Sequence, residues 1–140
     1  MLKGISKIVS PELLKVLCEM GHGDEIVIAD GNFPSENYGK RVIRADGIEG
    51  IKMLEAVLSL IPLDTYAKEN FMLMQTVKDD PKPDIWETYF DIATKADDNL
   101  REGYLERFEF YERAKQAYAI IATGEKAVYA NIIIKKGVVK

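Results

Sequence analysis

The chain has 140 residues, 47% of them hydrophobic and 30% charged, which is enough for one domain with a real core and excludes a disordered polymer. Nineteen Lys+Arg against 23 Asp+Glu leave a net charge of −4, the wrong balance for a nucleic-acid binder. One His and one Cys exclude a Cys/His zinc site and an internal disulfide within the chain, and the lone thiol predicts a cytoplasmic protein.

The first predicted element is a helix over residues 11–20. Ser10 caps it, Pro11 suits its first position, Gly21 follows its end, and Leu13, Leu14, Leu17 and Met20 form its apolar face. Glu25 to Asp30 reads as a buried strand, and Gly31 to Lys40, with two Gly, two Asn, a Pro and a Ser, reads as a loop. Val42 to Ala45 is a second strand. Helical spacing of Ile51, Leu54, Val57, Leu58 and Ile61 predicts a helix over 48–61, stopped by Pro62. Phe71 to Val77 is a strand, broken by Asp79-Asp80-Pro81-Lys82-Pro83, and Ile85 to Ala96 a helix. A short helix over 109–116 precedes strands at 118–122 and 131–134, with a turn at Thr123-Gly124-Glu125. Alternating strands and helices predict a single α/β domain over 1–140, with helices on both faces of a central sheet. The most apolar stretch, Ala56 to Leu63, is far too short to span a membrane, and the N-terminus carries no targeting pattern.

Familiar catalytic signatures fail. Gly21-His22-Gly23 lacks the third glycine of a dinucleotide fingerprint and runs from helix to strand, the reverse of the required order. Gly39-Lys40-Arg41 is no P-loop, and none of the four serines sits in a nucleophile elbow. Cys18 is expected to pack inside the first helix, as free cysteines usually do. Trp86, Tyr89 and Phe90 form an aromatic helix face that reads as core or interface rather than a sugar platform. Lys135-Lys136 reads as a solvated strand end.

His22 differs from these. Its flanking glycines leave room for a ligand, the preceding helix C-terminus favours a protonated ring, and Asp24 is placed to support that charge. An imidazole of ordinary pKa near 6.5 exchanges protons at neutral pH, although a lone His is as compatible with a structural or surface role. Asp30, at a strand end, stands where α/β sheets commonly bind ligands, or caps a loop there.

Several segments together carry a resemblance to a known family. Ser10-Pro11-Glu12-Leu13-Leu14-Lys15-Val16-Leu17 and Glu19-Met20-Gly21-His22-Gly23-Asp24-Glu25 form the first block, and Val42-Ile43-Arg44-Ala45-Asp46-Gly47 the second. Arg107-Phe108, Phe110-Tyr111-Glu112-Arg113-Ala114, Thr123-Gly124-Glu125 and Tyr129-Ala130-Asn131-Ile132 complete the set. In order and spacing they resemble the L-fucose mutarotase and D-ribose pyranase family across most of the chain, least so over residues 65–100. The resemblance implies a three-layer α/β/α sandwich that assembles into a ring-like homo-oligomer, commonly a decamer, with sites for a free monosaccharide near subunit contacts.

Carried over residue by residue, His22 matches the family's proton donor and Asp30 a sugar-binding carboxylate. Arg107 matches a position that is arginine in fucose enzymes and histidine in ribose enzymes, so the resemblance favours L-fucose. Tyr129, Ala130 and Asn131 match the binding segment, with Ala130 in the form of the ribose branch. The implied activity is an isomerase that interconverts sugar anomers by acid–base ring opening and closure, with no metal and no cofactor. A D-ribose pyranase, a broader mutarotase and a non-catalytic sugar-binding oligomer are the alternatives; Tyr111 and Glu112 carry no assigned role.

Overall fold

The structure, a computed structural model, describes residues Met1–Lys140. Its core is one six-stranded sheet, built from β1 (Glu25–Ala29), β2 (Val42–Ala45), β3 (Phe71–Met74), β4 (Glu102–Leu105), β5 (Ala119–Thr123) and β6 (Ile132–Lys135) in the order β2-β5-β1-β6-β3-β4. The pairs β1–β5, β2–β5 and β3–β4 are parallel, whereas β6 runs antiparallel to both its neighbours, β1 and β3. Five strands therefore point the same way, and the sixth threads back between them.

Period-2 alternation along the strands divides the interior into two layers. Ile26, Ile28, Phe71, Leu73, Ile121, Ile132 and Ile134 face α1 (Pro11–Glu19), α3 (Gly50–Leu58) and α4 (Ile85–Ala96). Val27, Ala29, Met72, Met74, Ile120 and Ile133 face α2 (Ser35–Tyr38) and α5 (Arg107–Gln116), which contributes Phe110 and Ala114. Strands buried on both faces need continuous apolar runs, and Ile132-Ile133-Ile134 at the sheet centre is such a run. The three-layer α/β/α sandwich expected from the sequence is the architecture observed.

Helix boundaries follow local chemistry. The Ser10 hydroxyl accepts a hydrogen bond from the Leu13 amide at the start of α1. At the end of α1, the ammonium of Lys136 donates to the carbonyls of Leu17 and Met20, where a cation meets the negative end of the helix dipole. Lys136 is thus a helix-terminating contact, not the solvated strand end expected of it. The start of α3 is closed from a distance: Glu125 accepts from the Gly50 amide through one oxygen and from the Ala127 amide through the other. The aromatic face of α4 is buried as expected, with Trp86 and Tyr89 in the core and Phe90 partly covered.

Four other expectations need correction. Residues 31–40 contain the short helix α2, and the strand expected over 71–77 ends at Met74. The edge strand β4 was not expected at all; it pairs only with β3, and its outward residues are exposed. Cys18 is exposed, because the buried stripe of α1 is Leu13, Val16, Leu17 and Met20, which turns position 18 to solvent.

Packing between α3 and α4 yields a direct test. A Cβ at Gly50 would lie 2.2 Å from the Tyr89 hydroxyl, which is fully buried and held on the Ala130 carbonyl. Gly50→Ala is expected to lower unfolding free energy by about 1–3 kcal/mol through overpacking. Gly47→Ala, in open space, should cost less than about 0.5 kcal/mol. Urea denaturation of both variants measures the difference.

Candidate functional site

Because five strands share one direction, the sheet has two chemically distinct edges. At the carboxyl edge, Asp30 follows β1, Met74 ends β3, Arg107 follows β4, and Asn131 enters the antiparallel β6. In parallel α/β sheets this is the edge where ligands bind. A cleft of about 590 Å³ opens there, lined by Asp30, Asn131, Arg107, Tyr111 and Tyr129, with Phe33, Met74, Val77 and Val128 as apolar walls. Four of the residues singled out in the sequence thus converge on one cavity. Ala130 is buried beneath it and contributes backbone rather than lining.

Asp30 and Asn131 form the floor. The Asp30 amide donates to Asn131 Oδ1 at 2.8 Å, and Asn131 Nδ2 donates back to the Asp30 carboxylate at 3.0 Å. The other Asp30 oxygen accepts from the Asn32 amide at 3.0 Å. Burial pushes the Asp30 carboxyl above the usual carboxylate range, and the hydrogen bonds from Asn32 and Asn131 only partly offset it.

Arg107 opens α5 just after the edge strand, where Glu106 caps the helix by accepting from the Phe108 and Glu109 amides. Its Nε donates to the Tyr111 hydroxyl at 3.0 Å, and its guanidinium lies 5.4 Å from the Phe108 and Tyr111 ring centres. Tyr111 in turn stacks on Tyr38 at 5.1 Å and meets Phe33 edge-on at 5.5 Å. Tyr111 is therefore a cleft residue that holds Arg107, a role the sequence left unassigned; its spacing of four from Arg107 on one helix is the signal that could have found it. Glu112 pairs with Lys115 instead.

Tyr129 has a positive φ of 54°, in the left-handed region. Trp86 Nε1 donates to its carbonyl at 2.8 Å and the Tyr89 hydroxyl donates to the Ala130 carbonyl at 3.2 Å. The aromatic face of α4 thus pins the 129–131 turn from below.

His22 is absent from this cleft. It precedes β1 and so lies at the opposite edge of the sheet; β1 alone interposes about 16 Å at ~3.3 Å per residue. There His22 Nε2 meets Asp64 Oδ1 at 2.8 Å, and the Tyr66 ring lies 5.1 Å from the imidazole. The His22 side chain is 45% exposed, the Asp64 side chain 4%. Burial works against charge on Asp64, but hydrogen bonds from His22 and from the Ala67 and Tyr66 amides outweigh it and hold the carboxyl below its usual range. Asp24, expected to support His22, accepts from the Gly21 amide at 2.8 Å. Asp64 is the partner that sequence reasoning missed. The 64–67 turn is braced by Arg101, which donates to the Thr65 and Ala67 carbonyls, and by Asn70, which donates to the Asp64 carbonyl.

The family model described as the RbsD / FucU transport protein family matches residues 3–139. A fucose mutarotase of Mus musculus is 52% identical, over 97% of this chain and 94% of its own length. Among solved structures, the fucose mutarotase of Streptococcus pneumoniae in complex with L-fucose aligns with a TM-score of 0.95 at 50% identity, covering 99% of this chain and all of that one. The Bacillus subtilis RbsD complexed with D-ribose aligns with a TM-score of 0.73 at 24% identity, a likeness of fold.

The floor of the cleft makes two linked expectations. Asn131→Ala removes a donor to the charged form of Asp30, so the Asp30 carboxyl should titrate still higher, read by carboxyl-carbon NMR, with about 1–3 kcal/mol of stability lost. With its folded value above its unfolded one, Asp30 supports the fold fully below the unfolded pKa, and that support is lost as pH rises through the folded value. Asp30→Asn should flatten this part of the stability–pH curve in denaturation series.

Proposed function

This chain belongs to the RbsD / FucU transport protein family, and from that membership and the geometry of the cleft we propose that it is an L-fucose mutarotase. It is an isomerase that interconverts the α and β anomers of the free sugar. The observation that carries this reading is the convergence of Asp30, Arg107, Tyr129 and Asn131 on one cavity, in a chain half identical to named fucose mutarotases. The whole chain, 1–140, acts as one sugar mutarotase domain.

Anomer exchange requires one proton taken from the anomeric hydroxyl and one given to the ring oxygen. The ring opens to an aldehyde, the carbonyl rotates, and closure yields the other anomer. The cleft supplies the grip: Asn131 offers donor and acceptor, Arg107 a planar fork of donors, and Asp30 an acceptor for sugar hydroxyls. Phe33, Met74 and Val77 offer an apolar surface for the methyl group of a 6-deoxy sugar.

His22 is the proton shuttle, and it acts on the cleft of a neighbouring copy. A single chain holds its histidine and its cleft at opposite edges of the sheet, so function requires a homo-oligomer in which the two edges meet; a closed ring such as a decamer satisfies this head-to-tail arrangement. Asp64, an acceptor at Nε2, fixes that nitrogen as the N–H side and leaves Nδ1 to exchange a proton with sugar. The reading places the protein in the cytoplasm, where the exposed Cys18 thiol stays reduced.

NMR exchange spectroscopy of L-fucose and D-ribose tests the assignment. The wild type should accelerate anomer exchange of fucose more than that of ribose, and His22→Ala should lose about 10²–10⁴-fold. Acceleration of neither sugar would reject the enzyme, and faster ribose exchange would change the substrate. The shared site has its own test: co-assembling inactive His22→Ala and Arg107→Ala chains should restore exchange, because some interfaces then pair an intact histidine with an intact cleft. Failure of mixed oligomers to regain activity would reject the pairing of one copy's histidine with its neighbour's cleft.

A further inference from the structure

The mutarotase reading needs a proton acceptor for the anomeric hydroxyl, and the cleft holds a hydrogen-bond chain that fits the task. The Tyr129 hydroxyl donates to Asp80 Oδ2 and receives the Val77 amide at 3.4 Å. Its one hydroxyl hydrogen is thereby committed to Asp80, so towards a sugar the phenol oxygen can only accept. Both Tyr129 and Asp80 line the cleft.

Backbone strain marks the same contact. The chain has two non-glycine residues at positive φ, Tyr129 at 54° and Asp79 at 73°. Together they flank this one hydrogen bond. Such conformers cost about 1–3 kcal/mol each and persist where surrounding structure enforces them; at Tyr129 the enforcement comes from Trp86 and Tyr89. Hydrogen bonding to Asp80 also raises the Tyr129 phenol above its ordinary range, so the hydroxyl works with its proton in place and not as a free phenolate.

We propose that Asp80 is a positioning residue that makes the Tyr129 hydroxyl the proton acceptor for the anomeric hydroxyl, taking the phenolic proton onto its own carboxylate as it does so. The inference rests on the mutarotase reading. In the opening step the anomeric O–H bond breaks and its proton passes to the Tyr129 oxygen, while the phenolic proton passes to Asp80. The electron pair left on the anomeric oxygen forms the carbonyl as the bond from C1 to the ring oxygen breaks. That oxygen takes a proton from His22 of the neighbouring copy. Closure runs the same transfers in reverse on the rotated aldehyde, so no proton is gained or lost over the cycle.

Saturation kinetics of L-fucose anomer exchange, measured by NMR, separates relay from shape. Asp80→Asn keeps an oxygen that accepts the Tyr129 hydrogen bond but cannot take its proton. It is expected to lower kcat about 10²-fold with KM unchanged. Asp80→Glu should recover part of that loss, and Asp80→Asn combined with Tyr129→Phe should be no slower than Tyr129→Phe alone. Retention of kcat in Asp80→Asn, or a loss confined to KM, would overturn the relay while leaving the wild-type activity, and hence the mutarotase reading, intact. A wild type that accelerates no aldose would overturn both.

Discussion

The reciprocal hydrogen bonds between Asp30 and Asn131 tie together two points 101 residues apart in sequence. They fix where β1 ends and where β6 begins, and with that the depth of the cleft floor. A buried carboxylate is costly unless its oxygens are satisfied, and here backbone and side-chain donors do so while leaving it raised in pKa. The rest of the cleft is arranged around this pair. Tyr129 must turn through a left-handed conformation to deliver Asn131 to it, and α4 commits two aromatic side chains to holding that turn. Binding groups held by packing and secondary hydrogen bonds lose little freedom when a ligand arrives.

Sheet polarity is the second constraint. Placing five strands in one direction gathers the cleft residues at one edge and sends His22, at the head of β1, to the other. The imidazole there is no stray surface group: it leans on a buried carboxylate whose turn is braced by Arg101 and Asn70. An oriented histidine at one edge and a polar cleft at the other are what the proposed head-to-tail assembly would bring together.

Much of this was legible in the sequence, for identifiable reasons. Ser10 and Pro11 announced α1, the apolar spacing of 51–61 announced α3, and the isoleucine-rich segments announced the central strands. What escaped was what depends on distant partners. Asp64 is 42 residues from His22 and stands in a segment without periodicity. Lys136 is read from sequence as a charged strand end, because only the folded chain brings it beneath the last carbonyls of α1. β4, Glu102-Gly103-Tyr104-Leu105, fully buries only its glycine at a sheet edge, so its side chains carry no apolar strand pattern. Cys18 shows the limit of residue-type averages: thiols are usually buried, but helix phase turned this one outwards. Of the site residues, Asp30, Arg107, Tyr129 and Asn131 gather as one group, and His22 stands apart from them, a separation that spacing along a chain cannot express.

The place of β6 has a consequence for how the molecule is made. This strand is the last in chain order yet lies in the middle of the sheet, between β1 and β3. Until it inserts, β2-β5-β1 and β3-β4 are two separate ribbons, each with an unpaired apolar edge. Closure therefore joins segments remote in sequence, a high-contact-order step that slows folding and exposes aggregation-prone strand edges meanwhile. Asn131 of the cleft floor and Lys136 at the end of α1 flank this same strand, so both contacts depend on its insertion. A chain cut short before β6 would thus lack the cleft-floor asparagine and the helix-terminating lysine together, and would leave β1 and β3 each with an unpaired edge.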